Sequence, residues 1–130
     1  DEKILAELLR NPYFSAQPPK SLDRNNFSSR ACAGLSVEDG AATLTAVTVR
    51  GIENSLAHVP EKPKRIIVCG GGRLNRTMMQ MLADRLGIPA VNIDDIGLDG
   101  DAIEAQAFAY LAVRSLKGLP ISFPETTGVP

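Results

Sequence analysis

The sequence predicts an α/β fold, a βαβ unit with flanking helices, that does not close into a complete sheet by itself. Three observations predict it. A short, continuously apolar run, Ile66-Ile67-Val68-Cys69, ends abruptly in Gly70-Gly71-Gly72. A Pro- and Gly-bounded helical segment follows and leads into a second apolar run, Ala90-Val91-Asn92-Ile93. Longer stretches with helical apolar spacing lie on either side.

The elements follow in order. Residues 2–10 read as a short helix with Leu5, Leu8 and Leu9 on one face, stopped at Asn11-Pro12 because a proline ring disfavours the α region in the residue before it. From Tyr13 to Ala33 the chain is irregular and rich in Pro, Ser and Asn. A connection of about 20 residues is uncommon inside a compact domain and more often functional than filler. Ser36 caps a second helix, with Asp39 as a short-armed capping-box partner, running to about Ala57. Leu44, Thr48, Ile52 and Leu56 mark one face of it. Its β-branched centre, Thr43 to Val49, lowers helix preference, so burial must hold it.

Residues 65–69 read as a strand buried on both faces of a parallel sheet. Asn75 caps a helix over 76–86, with Met78, Met79, Leu82 and Leu86 inward and Gly87 closing it. Residues 90–93 supply the parallel partner strand, so 65–93 form one βαβ unit. Asp99-Gly100-Asp101 opens the last long helix, over 102–117, with Ile103, Ala107, Phe108, Leu111 and Ala112 as its apolar stripe and Gly118 and Pro120 ending it. The tail from Ile121 to Pro130 has room for at most one edge strand. Two strands and three sizeable helices make a thin sheet with open edges. The rest of the sheet is expected in sequence outside these 130 residues, and Asp1, which is not an initiator methionine, points the same way.

Composition narrows the partners. A formal net charge of −1, from 14 Lys plus Arg against 15 Asp plus Glu, leaves no basic footprint for nucleic acid or anionic lipid. No apolar run approaches the roughly 18 residues that cross a bilayer. Cys32 and Cys69 show no metal or redox spacing and read as buried thiols in a reducing compartment.

The strand–triple glycine–helix corner is the strongest chemical signal. Glycines let main chain approach a ligand, and the helix start at Asn75 offers free N–H groups and a positive dipole end, which suits a phosphate. Gly-Lys-Ser/Thr is absent, and Asn75 stands where the dinucleotide fingerprint has its third glycine. The alternatives are nucleotide contact or a tight strand-to-helix turn. Asp94, Asp95, Asp99 and Asp101 cluster after the second strand, where α/β ligands bind. They read as capping and turn residues in preference to magnesium ligands held through water. Glu104 lies in a first helical turn, a solvated acid when taken alone. His58, the only histidine, sits at a helix end and has no acid–base partner in sequence.

Several stretches together resemble the anhydro-N-acetylmuramic acid kinase family, of the actin/hexokinase/Hsp70-like ATPase class. They are Asn11-Pro12-Tyr13-Phe14, Pro18-Pro19-Lys20-Ser21 with Arg24 and Phe27, and Val68-Cys69-Gly70-Gly71-Gly72 with Asn75. Asp99-Gly100-Asp101, Glu104-Ala105-Gln106-Ala107-Phe108-Ala109, and Gly118-Leu119-Pro120 through Thr126-Thr127-Gly128 continue the series in order. At Leu22-Asp23 the family more usually carries Thr-Gly, and no ligand role is assigned to the Lys20–Arg24 loop.

The resemblance implies the carboxy-terminal part of an actin-like (ribonuclease H-like) ATPase lobe. Residues 1–35 would be a helix and connection, and 36–130 the second helix, βαβ unit and last helix. It implies ATP and Mg2+ as cofactors, with Gly70, Gly71 and Gly72 against the adenosine and α-phosphate side of ATP and Asn75 fixing the turn. Glu104 would face the sugar pocket. The family reaction opens the 1,6-anhydro ring with water and ATP, giving N-acetylmuramic acid 6-phosphate for peptidoglycan recycling in the cytoplasm. The general base and the glycine-rich phosphate loop belong to an amino-terminal lobe, so this chain holds no catalytic residue and no metal ligand. Two other readings stay open: a non-catalytic interaction domain pairing with itself as a homodimer, and a piece of another sugar kinase or ATPase of the class.

Overall fold

The structure, a computed structural model, describes residues 1–128, apart from the side chain of Arg24. Helix α1 (Glu2–Leu8) is capped by Asp1, whose Oδ1 accepts from the amides of Lys3 and Ile4, and it buries Leu5. The irregular connection resolves into short 3-10 turns at Pro12–Phe14, Arg24–Asn26 and Arg30–Cys32. Tyr13, Phe14 and Phe27 form an aromatic cluster there, with centroids 5.8 to 6.2 Å apart. Helix α2 (Val37–Ser55) starts where Ser36 Oγ accepts from Asp39 N, as expected, and relaxes into a 3-10 turn at Leu56–His58.

The expected face of α2 splits in two. Ile52 and Leu56 join Val49 in the core, whereas Leu44 is 40% exposed. Residues spaced by four rotate about 40° per step in a helix of 3.6 residues per turn, so the row drifts off any one contact. Thr48 and Gly51 instead face the aromatic segment, with an added Cβ at Gly51 only 3.2 Å from Phe14. The β-branched centre is held as expected: Thr43 and Val49 are buried, and the hydroxyls of Thr43, Thr45 and Thr48 each donate back to the carbonyl four residues earlier.

Strand β1 (Ile66–Val68), helix α3 (Arg76–Leu86) and strand β2 (Ala90–Asn92) make the βαβ unit. The strands pair in parallel, Ile66 with Ala90 and Val68 with Asn92. Val49 of α2 and Leu82 and Leu86 of α3 form the core, closed by Ile66, Val68, Met78, Met81, Ile88 and Ala90. Burying a side chain such as Leu82 contributes roughly 1.5–3 kcal/mol. Met79 is half-buried outside that cluster. Arg85 fastens α3 to α2 through two hydrogen bonds to Glu53, at 2.9 and 3.1 Å.

Several features differ from expectation. Only one face of the sheet is covered: Ile66 and Val68 point to the helices, while Ile67 is 45% exposed. Cys69 shares that open side by strand alternation and is exposed, not buried; Cys32 is half-buried. Helix α4 (Ile103–Leu116) forms where predicted but buries nothing among the described residues, with Phe108, Val113 and Leu116 all exposed. The tail forms a one-turn helix, α5 (Pro124–Thr127), where an edge strand was allowed for. It docks on the first connection, where Lys20 N donates to Thr126 O at 3.1 Å. Val129 and Pro130 lie outside the described residues, as does the Arg24 side chain named in the family motif.

Candidate functional site

Each residue of the glycine corner has its own physical reason. Gly70 adopts φ 68°, ψ −171°, an extended conformation at positive φ that is essentially closed to residues with a Cβ. Gly71 opens the 3-10 turn Gly71–Leu74, and no atom of the described residues lies within 4 Å of where its Cβ would sit. A Cβ on Gly72 would lie 2.6 Å from the Met78 methyl. Asn75 closes the turn twice: its N–H donates to Gly72 O at 3.0 Å and its Oδ1 accepts from Met78 N at 3.0 Å. The predicted cap is therefore present, and it starts α3.

Arg73 completes the corner, and sequence reasoning missed it. Its side chain is 4% exposed and reaches three chain segments. Nε donates to Asp94 Oδ2 at 2.8 Å, Nη2 to Asp101 Oδ1 at 2.7 Å, and Nη1 to Gly70 O at 3.0 Å. The hydrogen bond from Arg73, then that from the Gly100 amide, hold the Asp94 carboxyl below the usual aspartate range. The bonds to Asp94 and Asp101 in turn raise the Arg73 guanidinium above its ordinary value. An arginine amid four nearby aspartates was the available signal, but pairing across 21 and 28 residues cannot be read from local pattern.

Two of the four aspartates, Asp94 and Asp99, act as turn residues, as expected. Asp94 Oδ1 accepts from Gly100 N at 2.7 Å, and Asp99 Oδ1 accepts from Asp101 N and Ala102 N at 2.9 and 3.2 Å. Asp94 and Asp101 are paired to Arg73, and among the described residues no group of three or more His, Cys, Asp or Glu could hold a metal. Glu104 stands in the first turn of α4, exposed and without a hydrogen bond or ion pair among the described residues. It lies one helical turn beyond Asp101, the residue that Arg73 ties to the glycine corner. The structure thus brings Gly70, Gly71, Gly72, Asn75, Arg73, Asp94 and Asp101 together, and sets Glu104 on the helix that leaves them.

Three other features belong elsewhere. Lys20 caps the Pro12–Phe14 turn: its Nζ donates to the carbonyls of Tyr13 and Ala16 and lies 4.9 Å from the centre of the Tyr13 ring. A concavity of about 450 Å3 is lined by Leu8, Asn11, Phe27, Arg30, Leu44 and Val47, none of them from the corner. His58 lines a third place, beside Phe14, Arg50 and Glu53. No described helix is long and apolar enough to cross a membrane.

Comparison with known proteins bears on this arrangement as a whole. The family model for anhydro-N-acetylmuramic acid kinase matches residues 1–130. An anhydro-N-acetylmuramic acid kinase of Zymomonas mobilis is 58% identical over 127 residues, 98% of this chain and 35% of that relative. Those of Brucella anthropi and Mesorhizobium japonicum are 55% and 52% identical over 130 residues, again all of this chain and 35% of theirs. The chain thus spans about a third of the length of these curated relatives. Identity at this level along an unbroken match settles the kinship: the chain belongs to the anhydro-N-acetylmuramic acid kinase family.

Proposed function

We propose that this chain is the carboxy-terminal, nucleotide-contacting part of an ATP-dependent kinase acting on 1,6-anhydro-N-acetylmuramic acid. The observation that carries the reading is the glycine corner. Gly70 takes a backbone conformation reserved for glycine, Gly71 leaves its surroundings open, and the match to the kinase family runs through both. Gly70, Gly71 and Gly72 lie against the adenosine and α-phosphate side of ATP, and Asn75 fixes the turn. Glu104, uncommitted at the start of α4, faces the sugar.

In the reaction water adds to the anomeric carbon, the 1,6-anhydro bond breaks, and the freed 6-oxygen takes the γ-phosphoryl group of ATP. The products are ADP and N-acetylmuramic acid 6-phosphate. Phosphoryl transfer rests on positioning and charge stabilisation, so a part without the base and the phosphate loop turns over essentially nothing. Magnesium accompanies the triphosphate, and no step is assigned to it through this chain's carboxylates. The open face at Ile67 and the bare apolar side of α4 support a larger actin-like lobe, whose remaining strands and partner lobe cover them. A cytoplasmic place fits a sugar phosphate used in cell-wall recycling.

Calorimetric titration of the intact polypeptide with a non-hydrolysable ATP analogue tests the reading. Saturable binding that Gly71→Val weakens at least about tenfold is expected, since branched side-chain atoms would occupy the space open to the ligand. Unchanged affinity in a folded Gly71→Val protein overturns it.

A further inference from the structure

We propose that Arg73 is a positioning residue that locks the glycine corner to the start of α4, so that the turn offered to nucleotide and the helix carrying Glu104 hold one fixed relation. The inference rests on the nucleotide reading above and deepens it. Arg73 sits inside the corner with its side chain only 4% exposed, while no described atom lies within 4 Å of a Cβ built on Gly71. Its three donors reach three separate segments: the carbonyl of Gly70, the carboxylate of Asp94 after β2, and the carboxylate of Asp101 before α4. The Gly70 carbonyl also accepts the Arg73 main-chain N–H at 3.2 Å, so one residue grips it from two sides.

Asp94 is itself fixed, by the Gly100 amide at 2.7 Å, and its own N–H donates to Asn92 Oδ1 at 3.0 Å. The segment leading into α4 is therefore tied to the end of β2 and to the corner through one planar cation. A planar fork spans three acceptors in a set geometry, whereas a lysine ammonium is a point charge that cannot. Gly100 leaves the slot in which the guanidinium lies, since a Cβ there would fall 2.6 Å from Arg73 Cζ. Helix α4 has no side-chain cap and buries nothing among the described residues, so this tether, together with the Asp99 turn just before the helix, orients its first turn.

The test uses the full-length enzyme with Arg73→Met, Arg73→Lys, Asp101→Asn and Gly71→Ala, reading kcat, the KM for ATP, the KM for the sugar, and Tm. Arg73→Met and Arg73→Lys are expected to raise the KM for ATP about tenfold, the scale of lost charge-assisted hydrogen bonds. Asp101→Asn, which leaves the Asp94 and Gly70 arms intact, is expected to shift the sugar KM more than the ATP KM, because it loosens α4 alone. Should Arg73→Met fail to fold, Arg73→Lys and Asp101→Asn carry the test. Folded variants with both KM values unchanged, or with Tm alone lowered, overturn the proposal. If Gly71→Ala raises the KM for ATP while the Arg73 variants do not, the clamp fails and the nucleotide reading stands. If Gly71→Ala leaves it unchanged, the nucleotide reading itself fails, and the clamp falls with it.

Discussion

The guanidinium of Arg73 occupies the space where a side chain on Gly100, 27 residues away, would begin. A Cβ at Gly100 would overlap Arg73 Nε and stand 2.6 Å from its Cζ. That contact favours glycine on steric grounds at a place where φ imposes nothing, since any Cβ would push the clamped guanidinium out of place.

Gly100→Ala is therefore expected to destabilise the protein by about 1–3 kcal/mol, the usual range for overpacking a filled site. Urea unfolding of the full-length protein measures it. Gly40→Ala is the control, because a Cβ there meets nothing within 4 Å. It should leave stability level or raise it slightly, since it lies inside α2.

Leu82 is fully buried at the α2–α3 contact. Leu82→Ala should cost about 2–5 kcal/mol. A midpoint shift corresponding to less than about 1 kcal/mol in chemical denaturation would mean the core sits elsewhere.

Asn75→Ala removes the bond to the Met78 amide that starts α3, and should cost about 1 kcal/mol. Asn75→Asp keeps an acceptor at the same place and should restore most of the loss. Parallel unfolding curves for the two variants decide it.

Acid sensitivity follows from two carboxylates. Asp94 is held low chiefly by its hydrogen bond from Arg73, and Glu53 chiefly by its hydrogen bond from Arg85. Both are ionised more readily folded than unfolded. Their stabilisation is complete above the ordinary carboxylate range, about pH 4, and disappears as pH falls through their lowered folded values. Asp94→Asn should flatten the stability–pH curve below that range while leaving the slope near neutrality unaltered, as followed by unfolding midpoints across an acid series.

Phe108 is 64% exposed on the apolar stripe of α4. If that stripe is covered in the intact polypeptide, Phe108→Glu should destabilise it by more than about 2 kcal/mol. A shift within about 0.5 kcal/mol is what a solvated position gives, and it would place α4 on the surface.

Elements with local signals were readable. Asn75, Gly87 and the apolar run before Gly70 mark α3 and β1 within a few residues of one another, and the structure places them accordingly. Ser36 announces α2 in the same way, through a cap three residues from its partner. What escaped depends on distant partners. The inward side of α2 is chosen by α3 and by Phe14, so a row spaced by four could not identify it. Arg73 reads as one more surface cation until β2 and the start of α4 are folded against it. The apolar stripe of α4 was seen correctly as a stripe, but amphipathicity states only that a surface seeks cover, not that the cover lies within the same 130 residues. For the site, the glycines and Asn75 were visible as a motif, while the clamp behind them was not.

The two strands of the sheet each have a single neighbour among the described residues, so the far side of each carries amide and carbonyl groups with no ladder partner. Such margins accept any extended backbone, whether from the same molecule or from another copy of it. Produced alone at high concentration, the segment should zip into strand-paired clusters. With extended segments seated along both margins, it would have nothing left to recruit.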